Sequence, residues 1–288
     1  ATDGSEGGLA PARFFAGLPH HQDIHVHIVT ALEADDSGDG GTALADAETA
    51  LGSFPGHVTT ATARVGSSST SEVVDLLLCT ADHADADLIA VGASGHSAVA
   101  RFFLGSVAEA VARYARQPVL VARPLTTPHT SPLTSPLREV VIGVDGSECS
   151  RAAAQFVASR FPLPPASTLR LAHVIPQPLF GVIGNTPYPL TPDFQSLEAA
   201  NQESRNRAHA RSEALAVALR GADRGCQIVV EPVALGNPAA ELVRIADERS
   251  AGLIVVGSEG LTGIERFLLG SVSERVLRHA HCSVLMVK

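Results

Sequence analysis

Short apolar runs alternate with longer segments of helical spacing over the C-terminal half of the chain. Glu139–Asp145 (EVVIGVD) is a β-rich run that ends on a turn signal, and Cys149–Phe161 carries helical spacing until Pro162 stops it. Thr168–Ile175 predicts a second strand, Phe194–Arg220 a long helix and Cys226–Leu235 a third strand. Pro238 suits the first position of a helix over Ala239–Glu248. Leu253–Val256, Ser271–Ala280 and Ser283–Val287 then predict strand, helix and strand. Wholly apolar strands alternating with helices indicate a parallel sheet covered on both faces. In the N-terminal half the same pattern predicts strands at Ile24–Ala31, Val58–Val65, Leu88–Val91 and Val119–Ala122.

The two halves are copies of one another. Residues 92–123 and 257–288 align without a gap at an offset of 165 and share 14 identities in 32. Ala86–Gly92 matches Ala251–Gly257, and Thr2–Glu6 (TDGSE) matches Val144–Glu148 (VDGSE). Between the copies lies Pro124–Leu137, in which repeated prolines among Ser, Thr and Leu predict an extended, semi-stiff linker. The expected organisation is a domain over 1–124, a linker over 125–137 and a second domain over 138–288. The first copy lacks a counterpart of Glu139–Gly143, since Asp3 already matches Asp145. A central strand is costly to omit, because its neighbours are left with unpaired backbone groups. The sequence as given is therefore expected to start a few residues late.

Composition narrows the chemistry. The chain has 288 residues, 45% of them hydrophobic, enough for two buried cores. No run of about 18 apolar residues is present, so no membrane helix is expected. The net charge of −9 falls wholly on residues 1–128, and residues 129–288 balance to zero. A broad basic face for nucleic acid is thus disfavoured. Lys288 is the one lysine, which excludes a Walker A loop. Cys79, Cys149, Cys226 and Cys282 are far apart and read as reduced thiols of a cytoplasmic protein.

Both copies carry G-x2-G-x9-G-S at the carboxyl end of an apolar strand, leading into a helix. The residues are Gly92, Gly95, Gly105 and Ser106 in the first copy, and Gly257, Gly260, Gly270 and Ser271 in the second. Ligands of open α/β sheets bind at the carboxyl ends of strands. Glycines let backbone close on a bulky anion, and free N–H groups at a helix start favour phosphate. The glycines could equally make tight turns, with the serines capping helices. Asp3 and Asp145 sit in Asp-Gly-Ser, a common turn sequence. His27 and His173 lie in apolar strands and read as satisfied interior histidines, and no catalytic base recurs in both copies.

With these residues the chain resembles a tandem universal stress protein. The resemblance covers nearly all of both halves, but neither the linker nor a longer connection in the second. It implies two open, doubly wound, five-stranded parallel α/β sheets of the adenine nucleotide alpha-hydrolase-like class, the first copy lacking its first strand. It implies ATP as ligand, with or without Mg2+, in a stress-response protein that hydrolyses it slowly or not at all. In ATP-binding members the glycine pattern holds ribose and phosphates, the Asp lies beside the nucleotide, and the backbone after the second-strand His receives adenine. Carried over, the site residues are Asp145, Val174, Gly257, Gly260, Gly270, Ser271 and Val272 in the second copy. In the first they are Asp3, Ile28, Gly92, Gly95, Gly105, Ser106 and Val107. Two other readings stay open: a nucleotide-free dimerisation or chaperone-like module, and an enzyme handling an adenylate. The latter is weakened by the lack of an HIGH-type or SGGxDS loop.

The copies differ between their Asp and their glycine pattern, where the second is longer by 23 residues. Most of the excess falls in Pro176–Asn201, rich in Pro and Gly with Phe180, Tyr188 and Phe194, and expected as a lid or a solvated loop. In the first copy the same connection is acidic. Asp35, Ser37, Asp39, Gly40 and Asp46 fall at calcium-loop spacings, but a flexible acidic loop is the better reading, since no clear helix leads in and the final ligand is Asp rather than Glu. Near a phosphate site it would repel. One tight nucleotide per chain, in the second copy, is the expectation. The last strand of each copy is an apolar edge expected to pair, either between the halves of one chain or in a homodimer.

Overall fold

A computed structural model of the chain describes residues 1–18, 24–33, 40–52, 54–66, 69–95, 104–124, 137–176, 194–221, 225–259 and 269–288. The expected linker (125–136), acidic loop (34–39), lid segment (177–193) and Gly260 lie outside the described residues. The first half runs α1 (Ala10–Ala16), β1 (His25–Glu33), α2 (Gly41–Leu51), β2 (His57–Val65), α3 (Thr70–His83), β3 (Ile89–Gly92), α4 (Ser106–Tyr114) and β4 (Val119–Ala122). The second runs β5 (Glu139–Val144), α5 (Glu148–Ser159), β6 (Thr168–Pro176), α6 (Phe194–Arg220), β7 (Gln227–Val230), β8 (Ala234–Gly236), α7 (Pro238–Glu248), β9 (Leu253–Gly257), α8 (Ser271–His279) and β10 (Ser283–Val287).

In the second half the strands lie in the order β10-β9-β5-β6-β7, all parallel. Alternate residues of these strands feed two cores, as period-two geometry requires. Val141, Ala172, Ile254 and Val284 pack towards α7 and α8. Val140, Ile142, Leu171, Val255 and Leu285 pack towards α5 and α6, around Phe161. Leu137, expected as the last linker residue, is fully buried in this second core. The single third strand predicted over Cys226–Leu235 is in fact two. Glu231 still donates its N–H to the Leu171 carbonyl, but Pro232 has no N–H, so β7 stops and β8 pairs higher on β6.

The first half has four strands among the described residues, in two parallel pairs, β1–β2 and β3–β4. Between β1 and β3, where β5 would correspond, lie Ala1 and Thr2 among the described residues. The nitrogen of Ala1 donates to the Ala90 carbonyl at 2.7 Å, and Thr2 N–H to the Val29 carbonyl at 2.9 Å. This register overturns one expectation. β1 and β6 are both nine residues long, with first residues opposite His57 and Gln227. Matched end to end, Thr30 and Ala31 correspond to His173 and Val174. Ile28 lies three residues upstream, and the odd shift puts it on the opposite face of the strand.

β4 and β10 pair antiparallel, with Leu120 opposite Leu285, and join β3 and β4 to the sheet of the second half, while β1 and β2 form a separate two-stranded sheet. Leu120 and Leu285 are themselves counterparts in the repeat, so the pair has a local two-fold axis. The buried Arg123 guanidinium donates to the Leu277 carbonyl of α8 at 2.6 Å. Its counterpart Lys288 donates to the Ala112 carbonyl of α4 at 2.7 Å. Each cation thus satisfies a last-turn carbonyl of the other half's helix. Among the described residues no helix is long and apolar enough to cross a membrane.

Candidate functional site

The carboxyl ends of β5, β6 and β9 bring most of the second-copy residues together. Asp145 directly follows β5. Its Oδ1 accepts the Ser147 N–H at 2.8 Å, while Ser147 Oγ accepts the Ser150 N–H at 3.1 Å and caps α5. Gly146 between them has φ +86°, which favours glycine. Val174 is buried near the end of β6, beside Ala234 of β8.

Gly257 ends β9 and packs on the first turn of α5. A Cβ there would stand 2.9 Å from the Cys149 carbonyl carbon. Ser273 Oγ donates to the Gly257 carbonyl at 2.6 Å, and Gly270 N–H to the Ser258 carbonyl at 2.8 Å. Both ends of the glycine loop are thereby pinned to the strand and to each other. Gly270 is the N-cap of α8 and gives no side-chain cap, whereas Ser147 caps α5 and Asn237 caps α7. Ser271 is exposed and Val272 half-buried at this uncapped start. A helix start without a side-chain acceptor leaves donors for an anion.

The first copy repeats the frame but fills it differently. Gly105 N–H donates to the Ala93 carbonyl at 2.7 Å, and Gly105 caps α4 without a side chain. Ser106 is exposed, but its hydroxyl is hydrogen-bonded to Thr70 Oγ1 at 3.0 Å. Val107 is half-buried against the core. A Cβ on Gly92 would overlap the Gly7 carbonyl, and one on Gly95 would overlap Asp3 Oδ2. Asp3 Oδ1 accepts the Ser5 N–H at 3.0 Å and its hydroxyl at 2.6 Å. The Asp3 carboxylate therefore lies against the glycine turn, where it opposes a second anion.

Two side chains at the second site, Arg211 and Ser273, were not foreseen. Arg211 of α6 stands over the Asp145 turn, since a Cβ on Gly146 would lie 3.4 Å from its guanidinium nitrogen. In the first copy the corresponding Gly4 faces Ala43 of α2 instead. Ser273, whose counterpart is Ala108, holds the Gly257 carbonyl. His173, expected as a satisfied interior histidine, is interior at 8% exposed, but its Nδ1 has no hydrogen-bond partner among the described residues. Burial pushes the His173 pKa down, Asp145 pulls it up and Arg211 pushes it down, leaving it below the ordinary value. The signal for Ser273 was available as a difference between the copies, Ser against Ala108. Among the described residues no three His, Cys, Asp or Glu are grouped to hold a metal ion.

Known proteins agree with this architecture. The model of the universal stress protein family matches residues 1–123 and again 136–288. A universal stress protein of Methanocaldococcus jannaschii is 34% identical over 154 residues, covering 52% of this chain and 82% of that protein. One of Mycobacterium bovis is 32% identical over 207 residues, 70% of this chain, which spans only 58% of that relative's length. The crystal structure of a universal stress protein from Archaeoglobus fulgidus aligns over 100% of this chain and 95% of its own, with a TM-score of 0.58 at 17% identity, and so shares the fold. With both halves matched by one family model, the chain belongs to the universal stress protein family, as two of its domains in tandem.

Proposed function

We propose that this protein is an adenine-nucleotide-binding regulator with one high-affinity site, in the second half, and that ATP is its ligand. The observation that carries the reading is the start of α8. It lies at the carboxyl end of β9, its cap is Gly270 with no side-chain acceptor, and Ser271 is exposed there. The N–H groups of Ser271 and Val272 would hold phosphate oxygens, with the Ser271 hydroxyl as a further donor. Asp145 would accept from a ribose hydroxyl, and the backbone at Val174 would meet the base. No lysine is needed, because helix N–H groups and dipole supply the attraction.

In the first half the Asp3 carboxylate lies on the glycine turn and Ser106 is engaged by Thr70, which favours the second site. The reading includes slow hydrolysis or none, and regulation by occupancy rather than turnover. The proposal includes a role in a stress response and residence in the cytoplasm, supported by family membership. Thermal unfolding with and without Mg-ATP tests it. Saturation at 100 times the dissociation constant should add about 2.7 kcal/mol. No shift with ATP would favour the rival reading, a nucleotide-free dimerisation module.

A further inference from the structure

The nucleotide reading leaves His173 unused, although the residues it does use flank this side chain. His173 directly precedes Val174 on β6 and lies opposite Val144, the residue before Asp145. The ring is 8% exposed, and its Nδ1 has no hydrogen-bond partner among the described residues. Ser212, next to Arg211 on α6, is 2% exposed with a hydroxyl in the same condition. A buried polar atom without a partner is costly, and a neutral imidazole is ordinarily held in one tautomer by its hydrogen bonds. At His173 no bond to Nδ1 fixes the protonation state, so burial and nearby charge decide it. From β5 the charge that acts on the ring is Asp145, and from α6 it is Arg211. β8 brings no charged residue. Glu231, after β7, is held by Arg170 and Arg249, and Glu148 at the start of α5 is held by Arg151. α7 packs on the opposite face of the sheet, with Ala172 and Val174. In the first half the corresponding residue is Thr30, buried and not titratable.

We propose that His173 takes up a proton when the second site binds its nucleotide, so that affinity rises as pH falls. The inference rests on the adenine-nucleotide reading of that site. Without ligand, burial holds the ring below the ordinary histidine value and it is neutral at pH 7.5. A bound nucleotide brings several negative charges to the carboxyl ends of β5, β6 and β9. Added negative charge close to a buried imidazole favours its protonated form. The sign follows from linkage. The occupied site holds more protons than the free one, so the dissociation constant falls as pH drops through the pKa of the bound state. It levels off below the pKa of the free state. A rise of one pKa unit on binding corresponds to about tenfold at that limit. The first half has Thr30 at this place and lacks the device.

Calorimetric titration of the full chain with Mg-ATP between about pH 5.5 and 7.5 tests this, in paired buffers of different ionisation enthalpy. The parent is compared with H173Q and H173N, whose amides stand in for Nε2 and Nδ1 without titrating. The nucleotide's own titration is common to all three and cancels. Near pH 6.5 the parent should take up a fraction of a proton that neither variant takes up. Over the whole range its affinity should gain roughly three- to tenfold more than theirs. In the parent alone, histidine NMR should show one imidazole whose titration moves to higher pH on saturation with Mg-ATP. Binding with equal proton uptake in the parent and the variants, or with no shifted imidazole, would overturn the inference and leave the nucleotide reading in place. No binding by the parent at any pH would remove the nucleotide reading, and this inference with it.

Discussion

His173 is buried within the field of the Asp145 carboxylate and the Arg211 guanidinium, and burial lowers its pKa. Its folded pKa lies below that of an unfolded histidine, about 6.5. The folded state then binds fewer protons, so stability falls as pH drops through about 6.5 towards the folded value. Replacement by Gln should flatten that slope between pH 7.5 and 5.5, as read from urea midpoints; an unchanged slope would show that His173 titrates alike in the folded and unfolded states. Glu231 has the opposite chemistry. It is 4% exposed and bonded to Arg170 and Arg249, both at 2.9 Å. Burial pushes its pKa up, the bonds to Arg249 and Arg170 outweigh this, and the carboxyl is held below its ordinary value. Its contribution is present above about pH 4.5 and is lost as pH falls through the folded value. Glu231→Gln should cost about 2 kcal/mol at neutral pH, less than a wholly buried pair, because Arg249 can turn to water. At this scale the sequence revealed the paired glycines but misplaced Ile28. Matching His27 to His173 by residue type ignored strand length, and H-x-H on β1 offered the wrong histidine. Arg211 could not be placed from sequence, because which turn of α6 meets Gly146 depends on packing.

At the level of elements, most strands and helices of the second half begin and end within two residues of the pattern that predicts them. Phe194–Arg220 and Ser283–Val287 coincide with it. Wholly apolar strands and proline or glycine stops made this legible. The split of the third strand was missed because Pro232 was read through, although a proline removes a ladder donor. The start of α8 gives a test that separates binding from folding. Proline is favoured at the first position of a helix, where its missing N–H would be unpaired anyway. Ser271→Pro therefore should leave the melting temperature within a few degrees while removing an N–H and a hydroxyl from the proposed phosphate site. ATP affinity should fall roughly tenfold or more, each lost hydrogen bond to a charged group being worth about 1.5–3 kcal/mol. Unchanged affinity would move the phosphates elsewhere.

Across the whole molecule, the β4–β10 pair joins β3 and β4 of the first half to the sheet of the second, and Arg123 and Lys288 each satisfy a carbonyl of the opposite half. Sequence left open whether these edges pair within a chain or between chains, since both arrangements bury the same apolar strands. A shared sheet predicts that the halves unfold together. Arg123→Met, which leaves the Leu277 carbonyl without its donor, should lower stability by about 1–3 kcal/mol. Two well-separated melting transitions in the parent would contradict a shared sheet. The duplication also predicts inequality of function, because the glycine turn faces Asp3 in one copy while Arg211 overlooks the second site in the other. Calorimetric titration of the parent, S106P and S271P with Mg-ATP measures this most directly. The account predicts one tight site per chain, kept in S106P and lost in S271P; two equal sites, or none, would contradict it.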